Sequence, residues 1–263
     1  MHALTTMTYA VTDGVAHVRF TRPELANAVS PAFSSDLRAV MVEIEFDPAV
    51  KSVAVTADGK VFCAGGDLKM FHQAGDELPS RAADMLVDFH GAIYKMNTIP
   101  KPFVAGVRGA AGGAGLSLMS AFDLVVSGES AKYTMAYTRA GVTPDGTSSY
   151  FLARHIGLRR ALDLTLTNRV LTASEAEQWG LVNRVVPDDG VDVATIELAT
   201  QLASGATLAM GLAKRVIYHG YEHGLGDAGE FEGRTITQVM SGHDAKEGIA
   251  AFVEKRSPVF RGE

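Results

Sequence analysis

The sequence predicts an α/β layered fold carrying an all-helical C-terminal region, and three observations lead there. Short apolar runs alternate with amphipathic helical patterns from about residue 50 to residue 186. The alternation stops at Pro187, after which Ala, Leu, Met and Val recur at helical spacing to about residue 254. A hydrophobic content of 47% over 263 residues supplies a buried core for one large domain or two small ones. The organisation expected is an α/β core over residues 1–190 and a helical region over residues 191–263.

In chain order, residues 9–11 and 15–20 are β-rich runs joined across Thr12-Asp13-Gly14, whose glycine tolerates positive φ, so a hairpin is expected. Ser30 stands at an N-cap with Pro31 at the first helical position, and Phe33, Leu37, Val40, Met41 and Ile44 recur at helical spacing until Asp47-Pro48. Val53-Ala54-Val55 reads as a short buried strand, followed by a loop over residues 62–67 and a helix from about residue 80 to 96. The pattern then repeats, with a strand at 103–107, a helix within 112–120 and a strand at 124–126. Thr172-Ala173-Ser174-Glu175 is a capping box opening a helix that closes near Gly180, ahead of a strand signal over 181–186.

Composition narrows the function. Lys plus Arg number 24 against 30 Asp plus Glu, a net charge of −6 with no dense run of one sign, so no footprint for nucleic acid or an acidic membrane surface is expected. The lone Cys63 builds neither an internal disulfide nor a Cys-based zinc site, and a cytoplasmic location is the expectation. Residues 1–7 lack the basic and apolar blocks of an export signal, and the apolar stretch between Arg108 and Asp123 is shorter than the roughly 20 residues that span a bilayer. His219 and His223 share a helical face but lack a His-Glu-x-x-His pattern, so no metal site is expected.

Two segments combine a strand end, small residues and a following helix: residues 62–68 (Phe-Cys-Ala-Gly-Gly-Asp-Leu) and residues 109–116 (Gly-Ala-Ala-Gly-Gly-Ala-Gly-Leu). Each can turn unpaired backbone N–H groups toward a negative charge, and together they can hold one oxyanion. Each also reads as a close-packing device, since glycine lets elements approach. No phosphate loop, dinucleotide G-x-G-x-x-G turn or G-x-S-x-G nucleophile elbow is present.

Residues 21–28 (Thr-Arg-Pro-Glu-Leu-Ala-Asn-Ala), residues 62–68 and residues 101–109 through Asp123-Leu124 resemble the crotonase (enoyl-CoA hydratase/isomerase) superfamily, in order and over nearly the whole chain. The resemblance implies a crotonase-like spiral of ββα units with a helical C-terminal region, assembled as a homotrimer or a dimer of trimers. It implies thioester chemistry in which the N–H groups of Gly66 and Ala114 polarise the acyl-CoA carbonyl and stabilise an enolate, with coenzyme A entering as part of the substrate and no separate cofactor. Leu25, Ala26, Ala28, Ala64, Asp67, Leu68 and Gly113 match positions along the CoA and substrate path, and tail residues Lys255 and Phe260 match ones that reach CoA or a neighbouring subunit.

The acid/base positions depart from the family's hydratases. Where those carry two glutamates, this sequence has Ser117 and Tyr137, neither of which serves as a carboxylate base at neutral pH. One carboxylate remains where the family sometimes places its base: Asp145, in Gly141-Val142-Thr143-Pro144-Asp145-Gly146. Pro-Asp-Gly is also a favoured turn, and the two readings are compatible. Residues 131–137 and 247–260 look most similar to the enoyl-CoA isomerase branch associated with phenylacetate degradation, in which the matching aspartate moves a proton. The expectation is a shift of an enoyl-CoA double bond from the 3- to the 2-position by Asp145, with Ser117 and Tyr137 shaping the pocket. A hydratase of 2-enoyl-CoA and a catalytically silent CoA-binding homologue are the alternatives.

Overall fold

The computed structural model describes residues 3–263; residues 1 and 2, part of the segment read above for an export signal, lie outside it. Strands β1 (Met7–Thr12) and β2 (Val15–Phe20) form the expected hairpin, and its turn takes positive φ at both Asp13 and Gly14. Helix α1 (Pro31–Phe46) is capped by Ser30, whose Oγ accepts the Phe33 N–H at 3.2 Å. Strand β3 (Ser52–Ala57) is buried along its whole length, and α2 (Leu68–Ala74) and α3 (Leu78–Thr98) return the chain to β4 (Phe103–Val107).

Two ββα units then follow. In the first, β4 runs into β5 (Ala110–Gly112) and α4 (Ala114–Ser120); in the second, β6 (Leu124–Gly128) runs into β7 (Lys132–Thr134) and α5 (Ser148–Ile156). After α6 (Leu158–Thr167) come β8 (Leu171–Thr172), α7 (Ala173–Gln178) and β9 (Arg184–Val186), and then only helices: α8 (Val191–Ala203), α9 (Thr207–Glu222), α10 (Leu225–Met240) and α11 (His243–Glu254). The large sheet has the order β1-β2-β3-β4-β6-β9, parallel except for the first pair, and β5-β7-β8 form a small second sheet.

The central parallel strands β3 and β4 are buried on both faces, as crossover connections require. On one face Phe20, Phe33, Met41, Phe89, Ile93 and Phe103 form the main core with α1 and α3. On the other, Val15, Ala54, Val104 and Val126 lie under Leu198 and Ala199 of α8. Helix α8 sits so close that a Cβ at Gly106 would fall 2.4 Å from Thr195 Oγ1. Helix α9 is fixed by a buried ion pair: Lys214 Nζ donates to Asp123 Oδ2 at 2.9 Å, and that oxygen also accepts the Phe103 N–H at 2.8 Å. Burial pushes the Asp123 carboxyl up and the Lys214 ammonium down.

The capping box at Thr172 is present with both of its hydrogen bonds. The strand signal over 181–186 shortens to β9, because Leu181 and Val182 drop into the core on irregular backbone. Among the described residues no helix is long and apolar enough to cross a membrane.

Candidate active site

The first glycine-rich loop is strapped on both sides. The Cys63 N–H donates to Ala110 O (3.2 Å) and Cys63 O accepts from the Gly112 N–H (3.0 Å), tying the loop to β5. On its other side the Val29 N–H donates to Gly65 O (2.8 Å), the Asp67 N–H to Val29 O (2.9 Å) and the Ala64 N–H to Ala26 O (3.0 Å). These bonds occupy the Gly65 carbonyl and the Asp67 N–H on either side of Gly66 and leave the Gly66 N–H without a backbone acceptor among the described residues. The second loop turns at Gly113, φ +49°, whose N–H donates to Thr134 O at 3.0 Å. Ala114 follows as the first residue of α4, so its N–H has no intrahelical partner. The loops touch at Gly65, where a Cβ would lie 2.9 Å from Gly112 O and 3.6 Å from Ala114 N. Gly66 and Ala114 therefore border one small region.

Residues 25–28 flank it. Ala26 and Asn27 both take left-handed φ, and buried Asn27 holds the turn: its Oδ1 accepts the Arg22 N–H at 2.9 Å, and its Nδ2 donates to Asp58 O (3.0 Å) and Val61 O (2.9 Å). Ala28 follows this turn and leads into the bridge at Val29. Leu25 and Leu68 are exposed at the rim. Asp67 turns away to cap α2, accepting the Lys69 and Met70 N–H groups at 3.1 and 3.0 Å.

Behind the loops lies a chain of hydroxyls ending on a carboxylate. Fully buried Ser117, one turn into α4, is 2.8 Å from Tyr137 Oη, and Tyr137 Oη donates to Asp145 Oδ1. Burial, with the Asp145 charge beside it, holds the Tyr137 hydroxyl far above the usual phenol range, so it keeps its proton. Asp145 lies in a turn whose Gly146 has φ +58°; a Cβ there would meet Ser117 Cβ at 2.8 Å and Phe89 Cε1 at 2.9 Å. With no side chain, Gly146 lets the backbone of this turn lie against Ser117 of α4 and Phe89 of α3.

Sequence reasoning missed His90, whose Nε2 accepts the Gly146 N–H at 3.1 Å. That bond leaves the ring proton on Nδ1. A histidine bordering the apolar stripe of Met85, Phe89, Ala92, Ile93 and Met96 on α3 was the available signal. On its outer side, the Asp145 turn borders an apolar groove of about 210 Å³ lined by Met135, Pro144, Leu152, Leu158 and Leu162. The tail residues lie elsewhere: Phe260 packs on Gly248 of α11, and Lys255 ends that helix in left-handed conformation. His219 and His223 stack at 3.8 Å on the surface, and among the described residues no three His, Cys, Asp or Glu side chains group as metal ligands.

A ββα spiral with a helical C-terminal region, wound so that two strapped glycine-rich loops meet, is the crotonase fold. A crystal structure of an enoyl-CoA hydratase from Polaromonas sp. JS666 superposes with a TM-score of 0.92 at 31% identity, covering 97% of this chain and 99% of that one. The family model for enoyl-CoA hydratase/isomerase matches residues 10–263, and the chain belongs to that family. Among curated relatives, 4-chlorobenzoyl coenzyme A dehalogenase-2 of Arthrobacter sp. is 35% identical over 93% of this chain and 89% of its own length. The 1,2-epoxyphenylacetyl-CoA isomerase of Escherichia coli K12 is 31% identical over 96% and 97%.

Proposed function

We propose that this acyl-CoA-processing enzyme moves the double bond of an enoyl-CoA from the 3- to the 2-position, with Asp145 as its single base. The observation that carries the reading is the Ser117–Tyr137–Asp145 chain: where a two-glutamate hydratase would place its carboxylates, hydroxyls stand, and they lead to the Asp145 carboxylate. Asp145 takes a proton from C2 of a 3-enoyl thioester. The electron pair delocalises onto the thioester oxygen, held by the Gly66 and Ala114 N–H groups, each such donor contributing about 2.7–4 kcal/mol in other enzymes. The Asp145 carboxylic acid then returns the proton to C4, leaving the 2-enoyl thioester and the carboxylate.

A second reading follows from the two 35%-identical relatives named 4-chlorobenzoyl coenzyme A dehalogenases. In an aryl thioester the same carboxylate would attack the ring carbon bearing the halogen, charge would flow to the same thioester oxygen, halide would leave, and water would then cleave the aryl ester to free Asp145 and the hydroxyaryl thioester. A panel of 3-enoyl-, 2-enoyl- and 4-chlorobenzoyl-CoA thioesters separates the readings. Double-bond migration supports isomerisation, and halide release supports displacement. Fast hydration of 2-enoyl-CoA, or binding without any turnover, overturns both.

The apolar side chains left exposed on α6 (Leu158, Leu162, Leu166) and on α10 and α11 (Leu225, Phe252, Val253) support assembly as a homotrimer or dimer of trimers.

A further inference from the structure

Asp145 is half-buried: among the described residues no lysine or arginine pairs with it, and one side chain donates to its carboxylate, Tyr137. The titratable groups facing its turn are Tyr137, from the loop after β7, and His90 of α3, which engages Gly146 rather than the carboxylate. Proton counting fixes the direction of the chain. Tyrosine has one hydroxyl proton and an ionised carboxylate has none, so that proton points to Asp145 Oδ1. The 2.8 Å contact between Ser117 Oγ and Tyr137 Oη is then made with the serine proton, in preference to the longer 3.3 Å contact from Ser117 to Gly113 O. Ser117 sits on the helix that Ala114 opens, so the chain ties the carboxylate to the element carrying one of the two amides.

We propose that Tyr137 is the positioning residue of this site: its hydroxyl, steered by Ser117, locks Asp145 in one rotamer through Oδ1 and leaves Oδ2 as the oxygen that exchanges a proton with substrate. The two positions that depart from the hydratase pattern would then be donors that serve a relocated carboxylate, beyond lining the pocket. The inference rests on the isomerase reading only in taking Asp145 as the reacting group.

Tyr137→Phe keeps the ring and removes the hydroxyl, which separates positioning from pocket shape. An infrared difference spectrum between proteins with Asp145 and with Asp145→Asn isolates this carboxylate stretch in the resting enzyme; it is expected to shift when Tyr137→Phe is added to both. In turnover, the acid limb of the kcat/KM profile is expected to move to higher pH by about one unit, because a donor to the ionised form has been lost. KM for the thioester should change less than kcat. Ser117→Ala should move both readouts the same way by a smaller amount, and serves if Tyr137→Phe folds poorly. An unmoved carboxylate band and an unmoved acid limb would overturn the proposal. The infrared arm needs no turnover, so its outcome stands apart from the isomerase reading, which the substrate panel decides.

Discussion

Cys63 and Ala111 form a parallel bridge, so the two glycine-rich loops, some 50 residues apart in the chain, are joined by backbone hydrogen bonds at their bases. The Gly66 and Ala114 amides therefore stand on one hydrogen-bonded frame, which is the preorganisation that oxyanion stabilisation needs.

Gly115 reports on that frame. A Cβ there would fall 2.2 Å from Cys63 O and 2.8 Å from its carbonyl carbon, both backbone atoms. Gly115→Ala is expected to cost at least about 1–3 kcal/mol in urea unfolding, the range for overpacking, and to weaken acyl-CoA binding as the loops separate. Unchanged stability would mean that the loops are not in contact.

Asn27 holds the flanking turn with three hydrogen bonds in a buried site. Asn27→Ala leaves two carbonyls and an N–H unpaired. It should lower stability by about 1–3 kcal/mol and raise KM for acyl-CoA, measured by chemical denaturation and steady-state kinetics.

The Lys214–Asp123 pair is buried, so removing one member strands the other. Lys214→Met is expected to cost about 3–5 kcal/mol, whereas Lys214→Met with Asp123→Asn should cost much less than the two single changes added together. A double-mutant cycle that proves additive would contradict a direct pairing.

The C-terminal tail is clamped to α11 by Glu247, which binds the Arg256 guanidinium and accepts the Val259 N–H at 2.8 Å. Hydrogen bonds from Arg256 and Val259 hold the Glu247 carboxyl down at about 2. Its folded value is depressed, so its contribution is complete above the unfolded value of about 4.3 and disappears as pH falls toward 2. The protection of the Val259 amide, its exchange rate relative to the intrinsic rate at the same pH, should fall over that window, and Glu247→Gln should bring the same loss of protection at neutral pH.

Legibility followed locality. The hairpin at Asp13-Gly14, the Ser30 cap, the Thr172 box and the helical run after Pro187 were readable because each is written within a few neighbouring residues. The small sheet was not, since β5, β7 and β8 are two or three residues long and owe their existence to partners more than 20 residues away. Helices α5 and α6 were also missed: each is about ten residues long, and they meet at Gly157, where φ is +81°. Within the site, the residues were named but not their bonds. Asp145 was readable as a turn carboxylate and Tyr137 as a departure from two glutamates, but the hydrogen bond between them and the His90 contact to Gly146 arise only when α3, α4 and the turn pack together.

The proposed role of Asp145 as proton carrier is tested most directly by the rate at which Asp145→Asn converts a 3-enoyl-CoA to its 2-enoyl isomer. Asparagine keeps the size and turn preference of the residue but cannot accept the proton. The rate should fall about 10²- to 10⁴-fold while the protein still binds the thioester. Isomerisation by Asp145→Asn at a rate close to wild type would contradict the account.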